Sequence, residues 1–299
     1  MSFHTLELTR PSEIHIQSGQ ILIVQEEGTV SVSLDDISTI ICQGPNIRIS
    51  TMAIGKLAEK GIAVLIFDEH YQPAAVVNSY GTNSRRSRVM QQQISLSDER
   101  IRQLWEMLIH AKIRNQSEAL HILGKNGSAA VAEYISDDRY SVDVKESLAA
   151  RDYFYFLDAD LNRREESPLN NCLNYGYAVL RNRIIRSLII TGFQPELGLH
   201  HKSQLNAYNL ADDMIEPWRP FVDLIAVEIQ GESTELTRKQ RFQLAHVLHH
   251  ACLLGGRKVS VGQGITEMVE SLHDYVSSSS REIKVPSLIP VEEVKLIVE

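Results

Sequence analysis

The chain has 299 residues, 43% of them hydrophobic, and its 30 basic and 38 acidic side chains leave a formal charge of -8. That is enough apolar material for one large domain or two ordinary ones, which excludes a disordered chain, and the acidic balance excludes an indiscriminate polyanion binder while leaving room for a local basic stripe. No run of 18 apolar residues marks a membrane span, residues 1–10 lack the order of a signal peptide, and Cys42, Cys172 and Cys252 show no C-x-x-C spacing, so a cytoplasmic protein with small core cysteines is expected.

Residues 1–80 read as a mostly β domain. In EIHIQSGQILIVQEEGTVSVSLDDISTIICQG, apolar and polar residues alternate at Ile14 and Ile16 and again at Val30, Val32 and Leu34, with Gly19 and Gly28 as turn residues. This is the pattern of short antiparallel strands. ISTMAIGKLAEKG predicts one amphipathic helix that opens at Ser50 or Thr51 and closes at Gly61, followed by an apolar strand, IAVLIF, over residues 62–67. Residues 81–92, which include the arginine-rich NSRRSR, read as a linker.

From 93 to 280 the period becomes helical. Ile101, Leu104, Trp105, Leu108, Ile109 and Ile113 step by threes and fours, and a helix is expected to open at Glu146. A long helix over residues 167–192 has Ser167 as N-cap, Pro168 in the first position and Gly192 as C-cap. TRKQRFQLAHVLHHACLLGG supplies another helix, and residues 281–299, rich in Ser and Pro at their start, read as a flexible or partner-dependent tail.

GLHHKSQLNAYNLADDMIEPWRP, residues 198–220, gathers His200, His201, Asp213 and Glu216, the hard oxygen and imidazole donors that a divalent ion for phosphoryl transfer uses. Asn209 is placed to cap a helix on which Asp213 and Glu216 share a face, and Pro217 ends or kinks that helix at Glu216. An acidic first turn facing the helix dipole, with solvated histidines before it, would account for the same residues. Glu146, ahead of the aromatic LAARDYFYFL, is a possible further ligand, with Asp152 and Asp158 as alternatives.

Arg85, Arg86 and Arg88, then Arg163 and Arg164, then Arg181, Arg183 and Arg186 form three basic groups able to grip phosphates, although charged loops and solvated helix faces look the same in sequence. Tyr153, Tyr155, Tyr175 and Tyr177 fit core packing better than base stacking, and HVLHH lacks a third zinc ligand. LLGGRKVSVGQG lacks the ending of a P-loop, and neither a G-x-S-x-G elbow nor an H-E-x-x-H helix occurs.

Glu146 with AARDYF, then NRREESPLNNCLNYGYAVLRNRI, then GLHHKSQLNAYNLADDMIEPWRPFVD resemble, in that order, the signature of the CRISPR-associated integrase family, the Cas-one enzymes of spacer acquisition. LDDISTIICQGPNIRISTMAIGKLAEKGIAVLIFDEHYQPAAVV is similar to that family's N-terminal domain, and the HHK-x-Q-x-N and NSYGTNSRRS versions resemble the branch accompanying type II systems. The resemblance implies an α+β chain, with a β-sandwich-like domain followed by a larger all-α catalytic domain. It implies Glu146, His201 and Glu216 as catalytic metal ligands for Mg²⁺ or Mn²⁺, with Asp213 as a secondary acid; His200 is set aside because the family's imidazole stands directly before a residue of the Lys202 type.

The resemblance further implies a homodimer, two of which flank a dimer of a small ferredoxin-like second CRISPR-associated protein in a heterohexamer on double-stranded prespacer and repeat DNA. An effector nuclease and other type II adaptation proteins are further expected partners, and no membrane is involved. The basic groups and Lys202 would then hold DNA phosphates. A catalytically silent scaffold of the same complex and a branched-DNA repair nuclease are the alternatives.

Overall fold

Buried positions alternate along residues 12–17 and 20–25 of the computed structural model, which describes residues 4–44, 46–67, 73–77 and 84–289. Contacts divide the chain into two units, Met1–Arg88 and Val89–Glu299. The first holds β1 (His4–Leu8), β2 (Ser12–Gln17), β3 (Gln20–Gln25), β4 (Gly28–Ser33), β5 (Ile37–Cys42), β6 (Ile47–Ile49), α1 (Thr51–Glu59), β7 (Ala63–Phe67) and β8 (Pro73–Val77).

These strands form two four-stranded sheets, ordered β1-β5-β7-β8 and β4-β3-β2-β6, around a shared core that includes Ile14, Ile21, Ile40, Leu57 and Val64. The β2-β3-β4 meander is antiparallel, and its first turn uses Ser18 and Gly19, both at positive φ, which matches the twist of a two-residue hairpin. The expectation of antiparallel strands throughout fails elsewhere, since β1-β5, β5-β7 and β2-β6 pair parallel. Ile40 and Ile41 are both fully buried, so β5 is covered on both faces, as a strand inside a parallel sheet must be. Helix α1 lies between β6 and β7 in the chain, and the Ser50 hydroxyl caps it by accepting from the Ala53 N–H at 3.1 Å.

α2 (Ser84–Ile94) spans the division between the units, so the stretch read as a linker carries a helix. The second unit continues with α3 (Asp98–Ile122), α4 (Ser128–Glu133), α5 (Val142–Leu157), α6 (Pro168–Thr191), α7 (Asn209–Met214), α8 (Arg219–Ile229), α9 (Arg238–Ala245), β9 (Ala251–Leu254), β10 (Arg257–Ser260), α10 (Val261–Val276) and β11 (Pro286–Ser287). α6 opens on the Ser167 cap with Pro168 in its first turn and closes on Gly192 at φ 100°, as its sequence predicts.

Two segments depart from expectation. The helix begun at TRKQRFQLA stops at Ala245, passes through a short 3-10 turn over His246–His249 and becomes a strand, because Gly255 and Gly256, both at positive φ, fold β9 back on β10. A three-stranded sheet, β10-β9-β11, therefore sits in the otherwise helical unit. Residues 281–289 are also no loose tail. Ile283, Leu288 and Ile289 are buried, β11 pairs with β9, and buried Asn115 donates to Pro286 O at 3.1 Å and accepts from Leu288 N at 3.1 Å. Residues 290–299 lie outside the described residues. No described helix is long and apolar enough to cross a membrane.

Candidate active site

A lysine on the buried side of α3 organises the site. Lys112 follows Leu104, Leu108 and Ile109 at core-facing spacing and is only 6% exposed. Its ammonium lies 2.5 Å from Glu146 Oε1 on α5 and 2.5 Å from Glu216 Oε2, just past the end of α7. A buried ammonium survives only with such partners. Burial alone would lower the lysine pKa, but Glu216 and Glu146 outweigh it and raise it.

Glu216 is buried, with Oε1 accepting from Arg219 Nε at 2.9 Å. Its Oε2 meets Lys112 as a charge contact without hydrogen-bond alignment, and no donor satisfies it. Burial would push the carboxyl up, yet Lys112 and Arg219 together hold it down at about 2. Arg219 is steadied in turn by the Tyr177 ring, 4.8 Å from its guanidinium carbon. Pro217 ends α7 as expected, and the 3-10 turn Glu216–Trp218 enters α8 with the Trp218 indole fully buried. Glu146 lies in the second turn of α5 rather than at its opening, because the helix already starts at Val142.

Asp213 has no exposed surface and binds the histidine loop. Its Oδ2 accepts from Leu199 N at 2.5 Å and His200 N at 3.2 Å, and its Oδ1 accepts from His201 N at 3.1 Å. Oδ1 also lies 2.7 Å from His201 Nδ1, and this bond, ahead of the opposing burial, raises the imidazole pKa. With Nδ1 so engaged, Nε2 is the nitrogen left for a ligand. Asp213 is thus saturated by the loop, whereas His200 stacks flat on Trp105, ring centroids 4.2 Å apart, and meets the His201 ring edge-to-face at 89°. Gly198 permits the close turn, since a Cβ there would stand 2.2 Å from His201 O and 2.7 Å from Asn209 Cβ.

Asn209 is the first residue of α7 and not its cap. Its amide instead donates to Glu196 O, Ser203 O and Asn206 O, pinning the loop from inside.

The donor chemistry, two carboxylates and an imidazole, suits a hard or borderline divalent ion. Among the described residues, however, no three His, Cys, Asp or Glu side chains stand close enough to hold one. The Lys112 ammonium occupies the space between the two carboxylates.

Most of the arginines expected at phosphates have partners within the fold. Arg181 makes a two-pronged pair with Asp212 at 2.7 and 2.9 Å, Arg183 donates to Gly262 O and Thr266 Oγ1, and Arg163 binds Asn170 and Asn174. Arg186 lies on α6 and has an internal contact. Arg164 and Lys202 are exposed. Arg85 and Arg86 fall on α2, with side chains outside the described set. Tyr153 and Tyr177 donate to buried Asp223 at 2.8 and 2.5 Å, which confirms packing for that pair.

Sequence reading missed Lys112 and Arg219. A charged residue in the apolar register of α3 was the available sign for Lys112, and the three-residue spacing from Glu216 was the sign for Arg219.

A β unit is followed by a helical unit that carries both an aspartate-braced histidine and two carboxylates held on one lysine. The chain belongs to the family described as CRISPR associated protein Cas1, whose model matches residues 6–243. It is 31% identical over 98% of its length to the CRISPR-associated endonuclease Cas1 of Neisseria meningitidis serogroup C, covering 99% of that protein. A Pyrobaculum aerophilum relative, CRISPR-associated endonuclease Cas1 2, is 27% identical over 83% of this chain and 91% of its own. Among solved structures, a casposase bound to integration product shares the fold at TM-score 0.70 and 18% identity, over 95% of this chain and 97% of that one. A partial Cas6-RT-Cas1–Cas2 complex matches at TM-score 0.71 and 16% identity, over 94% and 97%.

Proposed function

We propose that the chain is a metal-dependent DNA integrase and endonuclease that inserts prespacer DNA into a CRISPR array, through attack of a DNA 3′-hydroxyl on a phosphodiester at the repeat boundary. The observation that carries this reading is the convergence of Glu216 and Glu146 on one lysine ammonium, in the unit where buried Asp213 fixes the His201 loop. Glu146, His201 and Glu216 would hold Mg²⁺ or Mn²⁺, the imidazole favouring Mn²⁺ in affinity. A divalent ion held there supplies Lewis acidity toward the attacking hydroxyl and the charge that builds on phosphorus.

The chain's own groups do the positioning. Asp213 keeps the His201 Nδ1 side occupied and leaves Nε2 for a ligand, Arg219 fixes Glu216, and exposed Arg164 and Lys202 draw the phosphate backbone. Names among the relatives support a shared complex with a Cas2-type partner, and we assign a homodimer flanking that small protein, in the type II branch.

Strand transfer of a short duplex with free 3′ ends into a plasmid carrying the cognate repeat, with the partner present, tests this. Mn²⁺- or Mg²⁺-dependent product is expected from wild type and at least a hundredfold less from folded His201→Ala and Glu216→Ala. Wild type that binds the duplex but gives no product with either ion would replace the integrase by a silent scaffold.

A further inference from the structure

Three facts about the carboxylate pair belong together. The Lys112 ammonium touches both Glu146 and Glu216 at 2.5 Å, and Glu216 Oε2 is buried without a hydrogen-bond donor. No three metal-ligating side chains among the described residues are gathered closely enough to hold an ion. A site built only to receive a divalent cation would leave buried Glu216 facing the half-buried Glu146 carboxylate whenever the cation is absent, and their repulsion would drive them apart or protonate one of them. Here a positive charge of the chain's own fills that place.

Resting on the metal reading above, we infer that Lys112 is a resident counter-cation: its ammonium holds Glu146 and Glu216 together in the metal-free protein, and an arriving divalent ion must displace it from the same oxygens. The chemistry of lysine suits this. An ammonium is a compact point charge on a flexible four-carbon stem, so it can leave by bond rotation, whereas the planar guanidinium of Arg219, stacked on Tyr177 and bound to the other oxygen of Glu216, stays as a fixed clamp. The division of labour assigns one Glu216 oxygen to the permanent partner and the other to the exchangeable one. Exchange has an affinity consequence. Part of the attraction that Glu146 and Glu216 offer a divalent ion is offset by the ammonium contacts that must be broken and by repulsion from the displaced charge. Lys112 therefore keeps the empty site folded at the expense of metal affinity, and it is a positioning residue for the metal ligands.

The test measures Mn²⁺ binding by the full chain, by titration calorimetry and by loss of the free-ion electron paramagnetic resonance signal, for wild type, Lys112→Met, Lys112→Gln and Glu216→Gln. Both Lys112 variants are expected to melt lower without metal, to bind Mn²⁺ about tenfold more tightly, and to gain more thermal stability from it than wild type does. A merely structural lysine would lower the melting temperature without tightening the ion. Tightening by less than threefold, or weakening, with Glu216→Gln still abolishing the site, overturns the inference and leaves the metal reading intact. Equal binding by wild type and Glu216→Gln, or none by wild type, removes the metal reading and the inference with it.

Should neither Lys112 variant fold, amine labelling of wild-type Lys112 followed by mass spectrometry decides the question. Faster labelling with saturating Mn²⁺ is expected, and an unchanged rate overturns displacement.

Discussion

Asp213 accepts three backbone N–H groups and faces an imidazole nitrogen from a position with no solvent contact. In Asp213→Asn one oxygen becomes an NH₂ group, which must then face N–H donors it cannot accept. Each buried donor left unmet costs about 1–3 kcal/mol. We therefore expect Asp213→Asn to lose roughly 2–4 kcal/mol in urea denaturation, and to depress strand transfer further through the loosened His201. Stability within about 0.5 kcal/mol of wild type would contradict the saturated geometry. This aspartate was legible as a site residue from its place beside Glu216, but its role was not. Which acid meets Lys112 and which one braces the loop depends on where residues 198–201 turn back, and Gly198 permits that turn without advertising it.

Helices α5, α6 and α8 meet at Asp223, whose carboxylate is the acceptor for Tyr153 and Tyr177. Burial, opposed by those two hydrogen bonds, pushes its pKa up to about 6. A folded pKa above the unfolded one means that the native state holds the extra proton between the two values. The stabilisation is complete below the unfolded value of 3.8 and is lost as pH rises through about 6. Asp223→Asn removes this dependence. The stability of wild type relative to the variant is expected to improve by about 1 kcal/mol between pH 7.5 and pH 5 in paired urea titrations, and a difference that is flat with pH would refute the assignment.

The C-terminal strap gives a second prediction at this scale. Removal of residues 281–299 takes away buried Ile283, Leu288 and Ile289 and two hydrogen bonds of Asn115. At about 1.5–3 kcal/mol for each large apolar side chain, the loss approaches the stability of a whole domain. That truncation should abolish the cooperative melt. A cut after Ile289 should keep it, and only the shorter cut is a fair probe of partner docking through residues 290–299.

At the scale of the molecule, a net charge of -8 has to be reconciled with DNA. Arg181 and Arg163 serve internal contacts, so on the proposed integrase reading DNA binding by the described surface would fall to exposed groups such as Arg164 and Lys202. Arg164→Ala and Lys202→Ala should each weaken duplex binding severalfold and each shallow the slope of log affinity against log salt by roughly 1. Arg181→Ala should act mainly on stability, by releasing Asp212. The reverse pattern in filter binding and thermal melts would show that the ion pair opens for DNA. Charge totals could not separate these arginines, because a paired and an unpaired arginine are the same letter.

The chain's own letters determined the local structure that depends on near neighbours in sequence. Ser167, Pro168 and Gly192 bound α6, Ser50 and Gly61 bound α1, and Pro217 stops α7. They also determined the family, through the acids and histidines around Glu146 and residues 198–220. Tertiary structure alone decided the parallel pairing of β5, the strand made of ACLL, and the burial of Ile283, Leu288 and Ile289, since each depends on partners far along the chain. It also decided that Lys112, 34 residues from one carboxylate and 104 from the other, would stand between them. Hydrophobic period places a side chain on a face of its own helix, but charge finds its partner only after the helices have packed.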